Sequence, residues 1–139
     1  MLNKNEIQNL IKYAIKARSF SYSPYSNYKV GSALLTSTGK IFTGCNIESA
    51  SYTPTTCAER VAVLKAVSEG EKNFVAIAVI GGNDTIKHAK PSAPCGVCRQ
   101  LIYEFGKDIQ IIIATSVDDY FVQTISDLLP NGFGPDNLK

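Results

Sequence analysis

Neither sign of charge is in excess in this sequence, and long apolar runs and histidine are scarce. The 14 basic and 12 acidic side chains leave a net charge of +2 with no basic cluster, which excludes the electrostatic footprint of a nucleic-acid binder. The longest apolar run, Phe74 to Ile80, is far short of the roughly 20 residues that a membrane-spanning helix needs. Met1-Leu2-Asn3-Lys4-Asn5-Glu6 lacks the charged-then-apolar pattern of a signal peptide, so a cytoplasmic location is expected. The one histidine, His88, falls in a polar loop and reads as a solvated surface residue and not a metal ligand. No internal repeat or linker divides the chain, and residues 1–139 are expected to form a single domain.

What is present is the make-up of an ordinary globular chain, 45% hydrophobic and 19% charged, long enough to bury roughly two-thirds of its unfolded surface. Four cysteines occur, Cys45, Cys57, Cys95 and Cys98. In a reducing compartment, four cysteines with one Cys-x-x-Cys pair favour metal binding or redox chemistry over disulfides.

Ile7, Leu10, Ile11 and Ala14 fall at the spacing of an amphipathic helix, placed at 3–18 with Asn3 as N-cap and Glu6 completing a capping-box-like pattern. Residues 19–27 read as loop. Residues 28–36 and 41–43, joined at Thr38-Gly39, predict an antiparallel hairpin. After a polar loop over 46–55, Thr55 or Thr56 is expected to cap a largely buried helix running to Glu69 and closed by Gly70. Phe74 to Ile80 and Ile109 to Ala114 have the continuous apolar character of strands covered on both faces. A helix over 96–105 separates them, and an edge strand at 120–123 and a short helix at 125–129 follow. This order predicts an α/β fold, with a mixed sheet layered between helices.

The chemistry concentrates in Thr56-Cys57-Ala58-Glu59-Arg60 and Pro94-Cys95-Gly96-Val97-Cys98. Both stretches open predicted helices, where unpaired amides and the positive dipole end favour thiolates. Three thiolates would fill three tetrahedral positions of Zn²⁺ and leave the fourth for water, as in catalytic zinc sites. The site would then carry one net negative charge, which Arg60 can offset by hydrogen bonding to a thiolate. Glu59, free of the metal, can move protons. Two other readings fit the same residues: a thioredoxin-like Cys95/Cys98 redox pair, and a structural clamp that recruits Cys45 as fourth ligand.

Taken together, Cys57-Ala58-Glu59-Arg60 and Pro94-Cys95-Gly96-Val97-Cys98-Arg99-Gln100 resemble the zinc-dependent cytidine deaminases of the small homotetrameric type. Ser23-Pro24-Tyr25-Ser26, Val30-Gly31-Ser32-Ala33-Leu34, Gly44-Cys45-Asn46-Ile47-Glu48 and Leu128-Leu129-Pro130 extend the resemblance over nearly the whole chain. It implies a three-layer α/β/α fold around a mostly five-stranded sheet, and one Zn²⁺ per subunit on Cys57, Cys95 and Cys98. In this class the non-ligand glutamate, here Glu59, carries protons between water, N3 of the pyrimidine and the departing ammonia.

The resemblance also implies that Asn46 and Glu48 bind the sugar 3′-hydroxyl. Tyr28 stands where the family usually has the phenylalanine that packs on the base, and its hydroxyl needs a partner. Ala50, Tyr52, Ala58 and Phe133 match further substrate-contacting positions, and Ala50, Tyr52 and Phe133 reach a neighbouring subunit's site in the family. A carboxylate at Glu48 without nearby cations favours a free nucleoside over a nucleotide or RNA. The implied function is conversion of cytidine and 2′-deoxycytidine to uridine and 2′-deoxyuridine in pyrimidine salvage. Alternatives are deamination of a related aminopyrimidine nucleoside such as blasticidin S, and a non-catalytic zinc-stabilised module.

Overall fold

Helix α1, Lys4–Arg18, starts where its first donors are satisfied: Asn3 Oδ1 accepts from the Glu6 amide at 2.9 Å, and Asn3 Nδ2 donates to Glu6 Oε1 at 2.8 Å. Ile7, Leu10, Ile11, Ala14 and Ala17 form its buried stripe. The computed structural model describes residues 1–84 and 90–139, so the expectation placed on His88 lies outside the described residues. Among those described, no helix is long and apolar enough to cross a membrane.

The elements that follow are β1 (Lys29–Thr36), β2 (Ile41–Cys45), α2 (Ala58–Ser68), β3 (Phe74–Gly82), α3 (Gly96–Tyr103), β4 (Gln110–Ala114), β5 (Tyr120–Thr124) and α4 (Ile125–Leu128). They form one five-stranded sheet in the order β2-β1-β3-β4-β5. Strand β1 runs antiparallel to β2 and β3, β3 parallel to β4, and β5 antiparallel to β4. Alternation along the strands splits the core into two layers. Ala33, Ala76, Ala78, Ile80 and Ile112 pack under α1, while Leu34, Ile77, Ile111 and Ile113 pack under α2 and α3. The expected three-layer arrangement with a mixed five-stranded sheet is therefore the observed one.

This topology positions the two cysteine stretches. Because β1 opposes both β2 and β3, the strands β2, β3 and β4 point the same way. Helix α2 follows β2 and α3 follows β3, on the same face. Both helices therefore begin at the carboxyl edge of the sheet, where α/β folds gather their ligands. Gly44 makes the approach of α2 possible: a Cβ there would lie 2.3 Å from the Ala58 carbonyl oxygen and 2.8 Å from the Ala62 amide.

Three local expectations differ from the structure. Helix α2 is capped by Cys57 and not by Thr55 or Thr56, because Thr56 is held extended by paired hydrogen bonds with Ile47. Its burial is one-sided, on Ala58, Glu59, Ala62, Val63 and Ala66, whereas Leu64 is 52% exposed on the face turned from the sheet. Helix α3 ends at Tyr103 because the last turn tightens, with Glu104 and Phe105 amides bonding to Leu101 and Ile102 carbonyls. The tail also contains a short 3₁₀ turn, Pro135–Leu138, that glycine and proline content did not suggest.

The Gly44 contact yields a test of this packing. Gly44→Val should lower the unfolding free energy by roughly 1–3 kcal/mol, measured by denaturant titration. Unchanged stability would show that α2 does not rest on β2 as described.

Candidate active site

Cys57 and Cys95 occupy the N-cap positions of α2 and α3, and neither makes a side-chain capping bond. Their sulfurs are thus free to act as ligands. Cys98 lies in the first turn of α3 and is fully buried. The Cys57 and Cys95 sulfurs are 3.7 Å apart, those of Cys95 and Cys98 3.6 Å, and all three lie within 4.8 Å of one another. Tetrahedral zinc with Zn–S of about 2.3 Å separates its thiolates by about 3.8 Å. The spacing therefore suits one shared metal ion.

Cys45 is outside this cluster. Its neighbour Gly44 faces α2, so alternation turns Cys45 to the α1 side of the sheet. That removes the fourth ligand which a structural clamp would need. It also leaves a redox pair unexplained, since a third thiol sits as close to Cys95 as Cys98 does.

Electrostatics point the same way. The Cys57 thiol is pulled down to about 5, first by a hydrogen bond from Cys98 and then by Arg60, whose Nη2 lies 3.6 Å from the sulfur. Cys98 is pushed up by its bond to Cys57, by burial and by the charge of Glu59. One thiolate suppresses the next, and a dication between them is what lets all three ionise together. Arg60 is fixed in place by a second bond, from Nη2 to the Thr55 carbonyl at 3.2 Å.

Glu59 follows Cys57 by two residues and is 4% exposed. Burial, with the negative charge of Cys57, raises its carboxyl above the usual range. A cavity of about 350 Å³ brings Glu59, Cys57 and Cys95 together with Tyr28, Val30, Asn46, Glu48 and Ser92. No lysine or arginine is among its lining residues.

Asn46 and Glu48 stand at the other end of this cavity, and both are already engaged by the protein. Asn46 Oδ1 accepts from the Val30 amide at 2.9 Å, and Nδ2 donates to the Tyr28 carbonyl at 2.7 Å. Glu48 Oε1 accepts from the Tyr25 and Ser26 amides at 3.0 and 3.2 Å. A hydrogen bond from the Ser26 hydroxyl to Oε2 is the main cause of its lowered pKa. These bonds tie the 22–28 loop to the edge of the sheet and orient both side chains, leaving lone pairs on Glu48 for a ligand.

The remaining expected residues are dispersed. Ala58 is fully buried and is not among the residues lining the cavity. Tyr52, 74% exposed, lines an adjoining cavity with Tyr25, Ser26, Glu48 and Thr55. Ala50 lies on the exposed turn before it. Phe133 is 58% exposed, and its carbonyl accepts from Gln100 Nε2 at 2.7 Å. It does not line the thiol-bearing cavity of its own chain. Further residues line the cavity without being singled out by any site motif: Ser26, the partner of Glu48, which belongs to the Ser23-Pro24-Tyr25-Ser26 segment, and Ser92 and Ala93. Their only local signal is proximity to Tyr25 and to Pro94-Cys95.

Comparison with known proteins agrees with this donor set. Residues 4–115 match the sequence model of the cytidine and deoxycytidylate deaminase zinc-binding region. A cytidine deaminase of Halalkalibacterium halodurans is 45% identical over 133 residues, covering 95% of this chain and 97% of that protein. A crystal structure of cytidine deaminase from Burkholderia pseudomallei superposes with a TM-score of 0.81 at 44% identity, covering 90% of this chain and 97% of the other. A blasticidin-S deaminase of Bacillus cereus is 32% identical over 108 residues, 76% of each chain. With three thiols spaced for one zinc ion and the family model spanning the elements that carry them, this chain belongs to the cytidine and deoxycytidylate deaminase zinc-binding family.

Proposed function

We propose that this chain, acting as a single catalytic domain over residues 1–139, hydrolyses cytidine and 2′-deoxycytidine to uridine and 2′-deoxyuridine with release of ammonia. The observation that carries the reading is Glu59, a buried carboxylate in the same cavity as the thiols and not needed as a ligand. Cys57, Cys95 and Cys98 would hold Zn²⁺. When bound, the ion supplies the Lewis acidity that makes water lose a proton near neutral pH.

Glu59 does the proton work. Burial raises its carboxyl above the usual range, which favours holding a proton between one transfer and the next. It passes that proton to N3 as oxygen bonds to C4 of the pyrimidine. It then moves the hydroxyl proton to the exocyclic amine, so that the C4–N bond breaks, ammonia leaves and C4 becomes a carbonyl. Arg60, bonded to Cys57, offsets the excess negative charge of three thiolates.

Substrate recognition is assigned to the other end of the cavity. Asn46 and Glu48 bind the sugar 3′-hydroxyl, Tyr28 packs against the base, and Ala58 is assigned to the same set from its place beside Cys57. The absence of lysine and arginine from the lining favours a nucleoside over a phosphorylated substrate. Ala50, Tyr52 and Phe133 act across subunits in a homotetramer; the exposure of both aromatic rings on a single chain supports that assignment. Four free thiols fit a reducing, cytoplasmic setting.

Assayed side by side for zinc content and ammonia release, wild type should turn over cytidine in preference to blasticidin S. Glu59→Gln should lose roughly 10²–10⁴-fold or more in kcat while keeping its zinc. Zinc retention with no ammonia release by either protein would favour a non-catalytic zinc module, and equal turnover by the two would remove the role of Glu59. In the same assay Arg60→Ala should hold zinc roughly 10–100-fold more weakly; unchanged affinity and turnover would remove its charge-balancing role. Sedimentation should give a tetramer, and a monomer would leave the zinc chemistry intact while removing the roles of Tyr52 and Phe133.

A further inference from the structure

Tyr28 and Ser92 are far apart in sequence and meet beside the cavity: Tyr28 Oη donates to Ser92 Oγ at 2.9 Å. Both residues line the cavity that contains Cys57, Glu59 and Cys95. The tyrosine end is anchored, since the Tyr28 amide donates to Ser26 Oγ at 3.0 Å and its carbonyl accepts from Asn46 Nδ2 at 2.7 Å. The serine end rests on the sheet. A Cβ at Gly81 would lie 2.9 Å from Ser92 Oγ and 3.1 Å from Ser92 Cβ, so the hydroxymethyl group sits directly over the end of β3.

Beyond Ser92 the chain reaches Cys95 in three residues. Pro94 is buried, and its carbonyl accepts from Arg99 Nε at 2.7 Å, closing the segment onto α3. Lys90, Pro91 and Ala93 are exposed. Among the side chains of 90–93, Ser92 therefore makes the hydrogen bond that joins this segment to the opposite wall. A phenylalanine at position 28 would preserve the ring and leave Ser92 Oγ without that donor.

We propose that the Tyr28–Ser92 hydrogen bond is a strut that sets the cavity wall beside the pyrimidine before substrate arrives. Ser92 is then a positioning residue: it acts through Tyr28 and through the short segment leading to Cys95. The proposal rests on the deaminase reading of the site. Without the strut, an incoming nucleoside must order this wall itself, and the loss appears in binding more than in the chemical step. A neutral hydrogen bond of this kind corresponds to roughly a 2- to 10-fold change in affinity.

The test is a double-mutant cycle on zinc-loaded protein with Tyr28→Phe, Ser92→Ala and the double variant, reading the uridine dissociation constant by calorimetry and the KM and kcat for cytidine. Each single variant should raise the uridine Kd and the cytidine KM roughly 2- to 10-fold, with the loss falling on KM rather than kcat. The double variant should be no weaker than the weaker single, because either substitution already breaks the strut. Single effects that multiply in the double, unchanged Kd and KM, or a loss confined to kcat would each overturn the proposal. Tyr28→Phe removes one oxygen and keeps the ring, so it decides the matter alone if Ser92→Ala does not fold. Wild-type protein that neither binds uridine nor converts cytidine would sink the deaminase reading and the strut with it. An active wild type with independent single effects would sink the strut alone.

Discussion

Three thiols within 4.8 Å of one another cannot all carry charge without a cation between them. The opposed behaviour of Cys57 and Cys98 expresses that constraint: the first is drawn down toward ionisation and the second is held protonated. Much of the architecture serves to bring these groups together despite the cost. Two helices start at the same edge of the sheet, with the amide-rich end of each aimed at the sulfurs. Gly44 lets α2 sit low enough for Cys57 to reach, and Arg60 supplies positive charge from the first turn of the same helix.

The same constraint shapes the carboxylate proposed to carry protons. Glu59 leaves α2 beside Cys57, so it shares the buried, negative surroundings that raise its pKa. For the proton-carrying role proposed for it, burial favours the protonated form more than solvent would, without a further residue. At the far end, Glu48 is tuned in the opposite direction by amide and hydroxyl donors of the 25–26 turn, which keep it ionised as an acceptor. One cavity thus holds two carboxylates whose environments drive them apart.

Much of this was legible in the chain. The α1 stripe, the hairpin, the apolar strands and the Cys-x-Glu and Pro-Cys-x-x-Cys spacings are local patterns, and local patterns survive folding. What was not legible depends on tertiary pairing. The bond between Thr56 and Ile47 moved the start of α2 onto Cys57, and no propensity of threonine announces such a partner. Leu64 reads as core by composition, yet its face of α2 turns from the sheet. The exclusion of Cys45 needed the pairing of β1 with β2 and the contact of Gly44 with Ala58 to show which face it occupies. Ser92 carried no motif at all until Tyr28 was found beside it.

The central claim is a zinc ion on three thiolates with one position left for water. X-ray absorption at the zinc edge of the purified protein tests it most directly. The account predicts a first shell of three sulfurs at about 2.3 Å and one oxygen at about 2.0 Å. A four-sulfur shell would mean that Cys45 or a foreign thiol closes the site, and would contradict the catalytic reading.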